Sequence, residues 1–481
     1  MKTSLKNISN EKENGRIYTP DYIVNSILNL SGYTGTAILK KHVIDNSCGD
    51  GAFLVEIVRR YCSVAKEANL SPEEIREDLM QYIHGIEIES TELDKCRERI
   101  TQVAAEYGIK DVNWNLLCGD TLMIHDFDEK MDFVLGNPPY VRVHNLGTPL
   151  DVVKSFSFAQ GGMTDLFIVF YEIGIRMLAP NGVLGYITPS SFFNSVAGSY
   201  MRQVLVRDRL LDKIVDLKHY QAFSSTTYTT IAILRQNKTS DSIDCYRFDE
   251  SNLKPQFVEA LTPDDYYLGG NFYFAQKKDL QMLKEITANQ NKCDISVKNG
   301  YATLCDGVFI GKFPFRSRMI IPVIKASKGI KQQIIYPYDK KAKLFPERKL
   351  KRYRRVYQYL LSKKDILTNR SNEKDSEMYW YAFGRSQALL DTYKDKLTIN
   401  TLLRDEQDLK CVEAPAGVGV YGGLYIISNT FSQDDIISTL KTPEFAAYIA
   451  LLSKYKSGGY YTFSSKDIQA YLDYKFHTKE E

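Results

Sequence analysis

The sequence predicts an α/β fold in its first half, a mostly parallel sheet with helices on both faces, followed by a second half of α+β character. Three observations carry this. Short β-branched runs alternate with helical apolar periodicity as far as about residue 236, the pattern of parallel strands joined by helices. Beyond about residue 238 that rhythm gives way to longer polar stretches rich in tyrosine. Charge is also uneven: Gly311 to Arg370 holds 18 Lys/Arg against three acids, a net +15, so the other 421 residues of a chain whose net charge is +3 sum to −12. With 481 residues, 44% of them hydrophobic and 25% charged, the chain can bury two or three cores, which excludes a disordered or fibrous protein. We place the domain boundary at 238/239, in a polar run that starts at Arg235.

The elements follow in order. Residues 42–45 form a short β-branched run that enters Ser47-Cys48-Gly49-Asp50-Gly51, and residues 52–62 continue as a helix with apolar side chains at 53, 54, 57, 58 and 61. The next strand is predicted at 82–88. Leu93, Cys96, Ile100 and Val103 then recur at three and four residues, marking one face of a helix that starts near Thr91. Further strands are predicted at 113–120, 131–136, 182–188, 213–217 and 229–236, and a further helix at 165–178. No internal repeat or low-complexity segment is present.

Composition excludes several classes. No apolar run approaches the roughly 18 residues needed to span a bilayer, and the first 18 residues lack the apolar stretch of a signal peptide. The expectation is a cytoplasmic protein with no membrane partner. Eight cysteines without a Cys-x-x-Cys pair predict free thiols, no disulfide framework and no metal.

In a parallel sheet of this kind the ligand sits at the carboxyl ends of the strands, so the strand ends are where chemistry is sought. The first ends in a turn whose Gly49 and Gly51 let the backbone approach a ligand closely. Its spacing is neither that of a dinucleotide fingerprint nor that of a P-loop. The second ends in Glu87, about 35 residues later, an acid that can accept both hydroxyls of a ribose. The third ends in Cys118-Gly119-Asp120, suited to an adenine edge. Together they describe a nucleoside pocket. The fourth ends in Asn137-Pro138-Pro139-Tyr140, where two prolines stiffen the loop and fix the directions of the Asn137 amide and the Pro138 carbonyl. Both are acceptors for one NH2 group, and Tyr140 offers a face to the ring that carries it.

These residues resemble the S-adenosylmethionine (AdoMet)-dependent amino-methyltransferases, specifically the gamma-type adenine-N6 DNA methyltransferases. Gly15 to Pro20 is similar to the N-terminal motif that closes over the methionine end of AdoMet. Asp45 to Phe53 is similar to the D-P-A-C-G-[ST]-G-x-F loop, with Asn46, Ser47 and Asp50 in place of the usual Pro, Ala and Ser or Thr. Thr164 to Phe167, Gly182 to Leu184 with Thr188 to Ser190, and Ala222-Phe223 ahead of Tyr228 to Ile231 resemble the later motifs. The matches cover residues 11 to 236. More loosely, Gly300 to Thr303 through Phe309, and Tyr379 to Gln387, resemble parts of the family's C-terminal target-recognition domains.

The resemblance implies a Rossmann-like AdoMet-dependent methyltransferase domain at 1–238 and an α+β target-recognition domain at 239–481. It implies cofactor contacts from Tyr18, Thr19, Pro20, Asp45, Ser47, Cys48, Gly49, Gly51, Phe53, Glu87, Ile88, Asp120, Thr121 and Asn137. Asn137, Pro138, Pro139 and Tyr140 would form the catalytic loop, with Phe223 as a second wall for the target base and Tyr228 as the alternative. S-adenosylhomocysteine would be the product and no metal would be needed. The basic stretch, interleaved with Phe313, Phe315, Tyr336, Tyr338, Phe345, Tyr353, Tyr357 and Tyr359, suits a polyanion whose bases are also touched. Lys349, Lys351, Arg352 and Arg354 are candidates for phosphate, and Arg316, Arg318 and Arg385 for base edges.

The expected reaction is site-specific methylation of adenine N6 in double-stranded DNA after base flipping, within a restriction-modification or epigenetic system of a prokaryotic cytoplasm. A monomer is expected, with a separate cognate restriction endonuclease as candidate partner. A fused nuclease is not expected, since the first motif begins near Gly15 and no carboxylate-lysine cluster appears in the second half. Cytosine C5 chemistry is excluded because the chain contains no Pro-Cys dipeptide. RNA adenine-N6, DNA cytosine-N4 and protein-glutamine methylation stay open as alternatives.

Overall fold

The computed structural model describes residues 19–141, 150–161, 164–223, 227–370, 379–385 and 387–476. A nine-stranded sheet organises the first part, with strands β1 (Val43–Asp45), β2 (Ile83–Glu87), β3 (Asn115–Cys118), β4 (Met131–Gly136), β5 (Leu178–Pro189), β6 (Leu211–Asp216), β7 (Thr229–Arg235), β8 (Ile243–Asp249) and β9 (Lys254–Leu261). Their order is β3-β2-β1-β4-β5-β7-β6-β8-β9. Strands β3, β2, β1, β4 and β5 are mutually parallel. Strand β7 runs antiparallel to both β5 and β6.

The chain moves outward from β1 to β2 and β3, then returns to place β4 on the other side of β1. That reversal opens a crevice at the carboxyl ends of β1 and β4, where open sheets of this class bind ligands. The fold is the class-I methyltransferase form of the Rossmann-like architecture expected from sequence.

Helices α1 (Asp21–Ser31), α2 (Ala52–Glu67), α3 (Pro72–Tyr82), α4 (Ser90–Glu106), α5 (Leu166–Met177) and α6 (Ser199–Arg207) accompany these strands. Helix α2 buries Phe53, Leu54, Ile57, Val58 and Tyr61, the stripe read from the sequence. Helix α4 buries Leu93, Cys96, Ile100 and Val103. Helices α1 and α3 lie outside the sequence expectations. Their signals are short: Ile23, Val24, Ile27 and Leu28 on α1, and a capping box on α3, where Ser71 Oγ accepts from Glu74 N at 3.2 Å and Glu74 returns to Ser71 N at 2.8 Å.

The sequence boundary at 238/239 falls between β7 and β8, two strands before the sheet ends. The compact units divide later, into Met1–Gln281 and Met282–Glu481. Strand β8 alternates buried and partly exposed side chains and β9 is mostly exposed. Their outward residues give this stretch the look of a polar linker.

The second unit contains a four-stranded sheet that includes Ile295–Asn299, Leu424–Ser428, Lys396–Ile399 and Cys411–Ala414, and a three-stranded one of Ile330–Ile335, Ile320–Lys325 and Gly419–Tyr421. Its core gathers Tyr301, Phe309, Tyr336, Tyr338, Trp380 and Phe383. All eight cysteines are free thiols. Among the described residues no helix is long and apolar enough to cross a membrane, and no cluster of three or more His, Cys, Asp or Glu is set to hold a metal.

A histidine pair lies at the opposite edge of the sheet from the crevice. His42 Nδ1 and His84 Nε2 are 2.9 Å apart, and His84 is 4% exposed. Burial, then the neighbouring His42, lowers the His84 pKa to about 4. The folded state thus resists a proton that the unfolded chain accepts near 6.5, so stability is complete above pH 6.5 and falls as pH drops toward 4. Denaturant titrations should show wild type losing about 1 kcal/mol per pH unit across that window, with a flatter profile in His84→Phe.

Candidate active site at the carboxyl edge of the sheet

The turn after β1 is shaped by its glycines. Gly49 and Gly51 have φ of 51° and 90°, and a Cβ on Gly51 would stand 2.7 Å from Cys96 Sγ. Cys48 N–H donates to the Ile86 carbonyl at 2.9 Å, fastening the turn to β2. Glu87 completes the cradle: one carboxylate oxygen accepts from Gly49 N at 2.9 Å, the other from Glu89 N at 3.1 Å. Each oxygen retains acceptor capacity for a ligand hydroxyl. Beside it Ile88 is 60% exposed, an apolar surface suited to a nucleobase. At the end of β3, Asp120 Oδ1 accepts from Leu122 N at 3.0 Å.

The three departures from the family loop have structural roles. Asn46 is fully buried; its Oδ1 accepts from Tyr186 Oη at 3.0 Å and its carbonyl from Thr121 Oγ1 at 2.6 Å. Asp50 is paired with Arg99 of α4. Ser47 Oγ donates to the Asn137 carbonyl at 3.5 Å, joining the turns after β1 and β4.

Several residues expected to touch the cofactor have buried side chains. Cys48 and Phe53 belong to the hydrophobic core, and Thr121 is buried with its hydroxyl bonded to the Asn46 carbonyl; Phe53 is part of the α2 stripe that the periodicity predicts. Tyr18 and the motif residues before it lie outside the described residues.

Asp45 is 2% exposed, and its Oδ1 accepts from Ser47 N at 3.1 Å. Burial raises its pKa to about 8, with Ser47 N–H opposing and Glu87 adding to the rise. A cation resting beside this carboxyl would favour its ionised form.

On the other side of the crevice, Asn137 Nδ2 donates to Thr19 Oγ1 at 3.0 Å. Thr19 is buried, and Pro20, next to it, starts α1. The residue pair is legible in the sequence only as two separate motifs. Pro138 is buried and Pro139 half-buried. Tyr140 Oη donates to the Ile187 carbonyl on β5 at 3.0 Å, which fixes the ring.

Phe223 meets Tyr140 edge to face, with centroids 6.3 Å apart and planes at 76°. Two walls enclosing a planar base need parallel faces. Here the rings touch each other, so a base between them requires one ring to turn. Tyr228 lies edge-on to His219 at 5.7 Å.

In the second unit, 15 of the 18 basic residues between Gly311 and Arg370 are exposed, among them Arg316, Arg318, Lys349, Lys351, Arg352 and Arg354. The interleaved rings are less exposed. Tyr336 and Tyr338 are buried, and Phe313 and Phe315 pack on Tyr359. The stretch offers charge outward, holds Tyr336 and Tyr338 in the core, and leaves Phe313, Phe315, Phe345, Tyr353, Tyr357 and Tyr359 half-buried against it, so two of the eight rings expected beside bases face inward. Arg370 is spent internally on the carbonyls of Thr303, Trp380 and Ala382. The two loosely matched segments do meet: Arg385 N donates to the Ala302 carbonyl at 3.1 Å, and the Arg385 side chain is exposed.

Glu87→Ala and Asp120→Ala are each expected to weaken AdoMet by roughly 1.5–3 kcal/mol, read by calorimetry, as charge-assisted hydrogen bonds disappear. Glu87→Ala also frees the Gly49 and Glu89 amides, so Glu87→Gln should fall between it and wild type.

Residues 51–223 match the family described as Eco57I restriction-modification methylase. The chain is 24% identical to the type II methyltransferase M.BstVI of Geobacillus stearothermophilus over 76% of this chain and 73% of that protein. It is 23% identical to the type II restriction enzyme and methyltransferase RM.Eco57I of Escherichia coli, over 80% of this chain and 49% of that one. It is 30% identical to M.XhoI of Xanthomonas vasicola, over 47% and 43%. The chain thus spans about half the length of the latter two. Among solved structures, the type IIL restriction-modification enzyme MmeI in complex with DNA superposes with a TM-score of 0.63 at 14% identity, over 92% of this chain and 63% of that one, a likeness of fold.

Proposed function

We propose that this chain, an AdoMet-dependent DNA methyltransferase of the Eco57I restriction-modification type, methylates the exocyclic N6 of adenine in double-stranded DNA after the base has left the helix. The observation that carries the reading is the position of Asn137-Pro138-Pro139-Tyr140 at the end of β4, across the crevice from the Gly49, Glu87 and Asp120 cradle. Bound AdoMet supplies an electrophilic methyl group. An adenine amine is a poor nucleophile because its lone pair is delocalised into the ring. The Asn137 side chain and the Pro138 carbonyl accept its hydrogens, favouring a tetrahedral nitrogen and stabilising the charge that grows on it. Tyr140, with Phe223 or Tyr228, holds the ring, and the fixed crevice holds the two reactants in line. No covalent enzyme intermediate is required.

In this reading the catalytic machinery lies in the first unit, whose sheet runs on past the 238/239 boundary expected from sequence, and the second unit, Met282–Glu481, chooses the site, its exposed bases tracking phosphates. The chain acts as a monomer in the cytoplasm, alongside a separate endonuclease. The test is methylation of a plasmid library by purified protein and AdoMet, followed by base-resolved mapping. N6-methyladenine at one recurrent sequence supports the proposal; N4-methylcytosine, or label that appears only in RNA or on a glutamine amide, overturns it.

A further inference from the structure

Val196 is 77% exposed, more than any other large apolar side chain among the described residues. It does not ride on a slack loop. Arg202 of α6 is 3% exposed and donates from Nη1 to the carbonyls of Phe192 at 2.7 Å and Ser195 at 2.9 Å. Its Nε reaches the Gly270 carbonyl at 2.7 Å, and its Nη2 reaches Asn271 Oδ1 at 3.3 Å. A buried guanidinium is tolerated only when so satisfied, and these bonds fasten both sides of the turn that carries Val196. Ser195 Oγ adds a bond from Gly198 N at 3.2 Å.

The turn also stands in a telling place. It follows the carboxyl end of β5, the strand beside β4, and so rises from the edge that carries Asn137. Tyr140 is bonded to Ile187 two residues before that end. Ring contacts then run from Tyr140 to Phe167 and from Phe167 to Phe192, each at 6.5 Å. A stiff aliphatic tip is thus presented to solvent on the side where a target base would have to arrive.

A base that leaves a duplex opens an apolar gap between its former stacking neighbours, which water fills poorly and a small apolar wedge fills well. We infer that Val196 is such a wedge, entering the target step of duplex DNA as the adenine leaves and holding the gap open. Arg202 is its positioning residue. The inference rests on the DNA-adenine reading above.

The test uses the full chain in single-turnover methylation of two duplexes carrying the mapped site. One pairs the target adenine with thymine; the other sets an abasic site opposite it, so the base is already unpaired. Val196→Ala is expected to react about tenfold more slowly than wild type on the paired duplex, and within about twofold of it on the abasic one. Val196→Leu should retain most of the rate on both, and an unchanged melting temperature accompanies each variant. Equal slowing of Val196→Ala on the two duplexes, or wild-type rates on both, overturns the wedge. Failure of the wild-type protein on the paired duplex instead overturns the DNA-adenine reading, and the wedge with it.

Discussion

Asn137→Ala is expected to slow methyl transfer by at least about 10²–10³-fold while AdoMet still binds, because an acceptor aimed at developing charge is worth that much in a site closed to water. The geometry separates the two effects. The cofactor cradle is built by Gly49, Glu87 and Asp120 at the ends of β1, β2 and β3, with its own hydrogen bonds, whereas Asn137 stands at the end of β4 and is tied to Thr19. Truncation at 137 leaves the Glu87 bonds in place. Calorimetry with AdoMet and a radiolabel transfer assay on mapped DNA read the two quantities independently. Near-normal turnover would refute the assigned role, and loss of both binding and transfer would mean that the Asn137 to Thr19 bond shapes the whole crevice.

The second large effect belongs to the basic stretch. Neutralising Lys349, Lys351, Arg352 and Arg354 should weaken DNA binding at every sequence and lower the slope of log affinity against log salt by about 0.9 for each phosphate no longer neutralised, up to roughly 3.6 for all four. All four side chains are exposed, so the change removes charge without opening the core. Lys351 is partly engaged with Glu347 at 3.3 Å and Lys349 lies over the Phe345 ring at 3.7 Å, so the fall is expected to stop short of that ceiling. An arginine reading a base edge behaves differently: removing Arg316, Arg318 or Arg385 should relax one position by roughly 1–3 kcal/mol. A salt series on cognate and scrambled duplexes separates the two behaviours, and an unaltered slope on both would make the stretch a solvated face.

The sheet is legible in the sequence where burial writes itself as short, mainly apolar runs. The run at 131–136 is β4 to the residue, and the strand predicted at 229–236 differs from β7 only at its last position. Legibility fails where one face meets water. Strand β8 interleaves polar side chains with buried ones and β9 buries only Leu261, and such stretches look like a linker until the partner strand is known. The site is legible as residue types in order. Side-chain direction is not: Phe53 and Cys48 match a family loop and sit in the core, while Thr19 reaches Asn137 across 118 positions of sequence. The aromatic residues of the basic stretch show the same limit, since spacing alone does not reveal that Tyr336 and Tyr338 point inward.

That inward and outward division in the second unit has an evolutionary consequence. Because the exposed bases stand on a ring-packed core that, Arg370 aside, does not depend on them, exposed lysines and arginines there can be gained, lost or moved by single substitutions while Tyr301, Tyr336 and Phe383 keep their packing. Exposed substitutions of this kind usually change stability little, whereas the cradle around Gly51 and Glu87 tolerates almost none without losing its shape. On the function proposed above, the half that chooses the site would therefore be free to drift toward new targets while the half that carries the cradle is held to one cofactor.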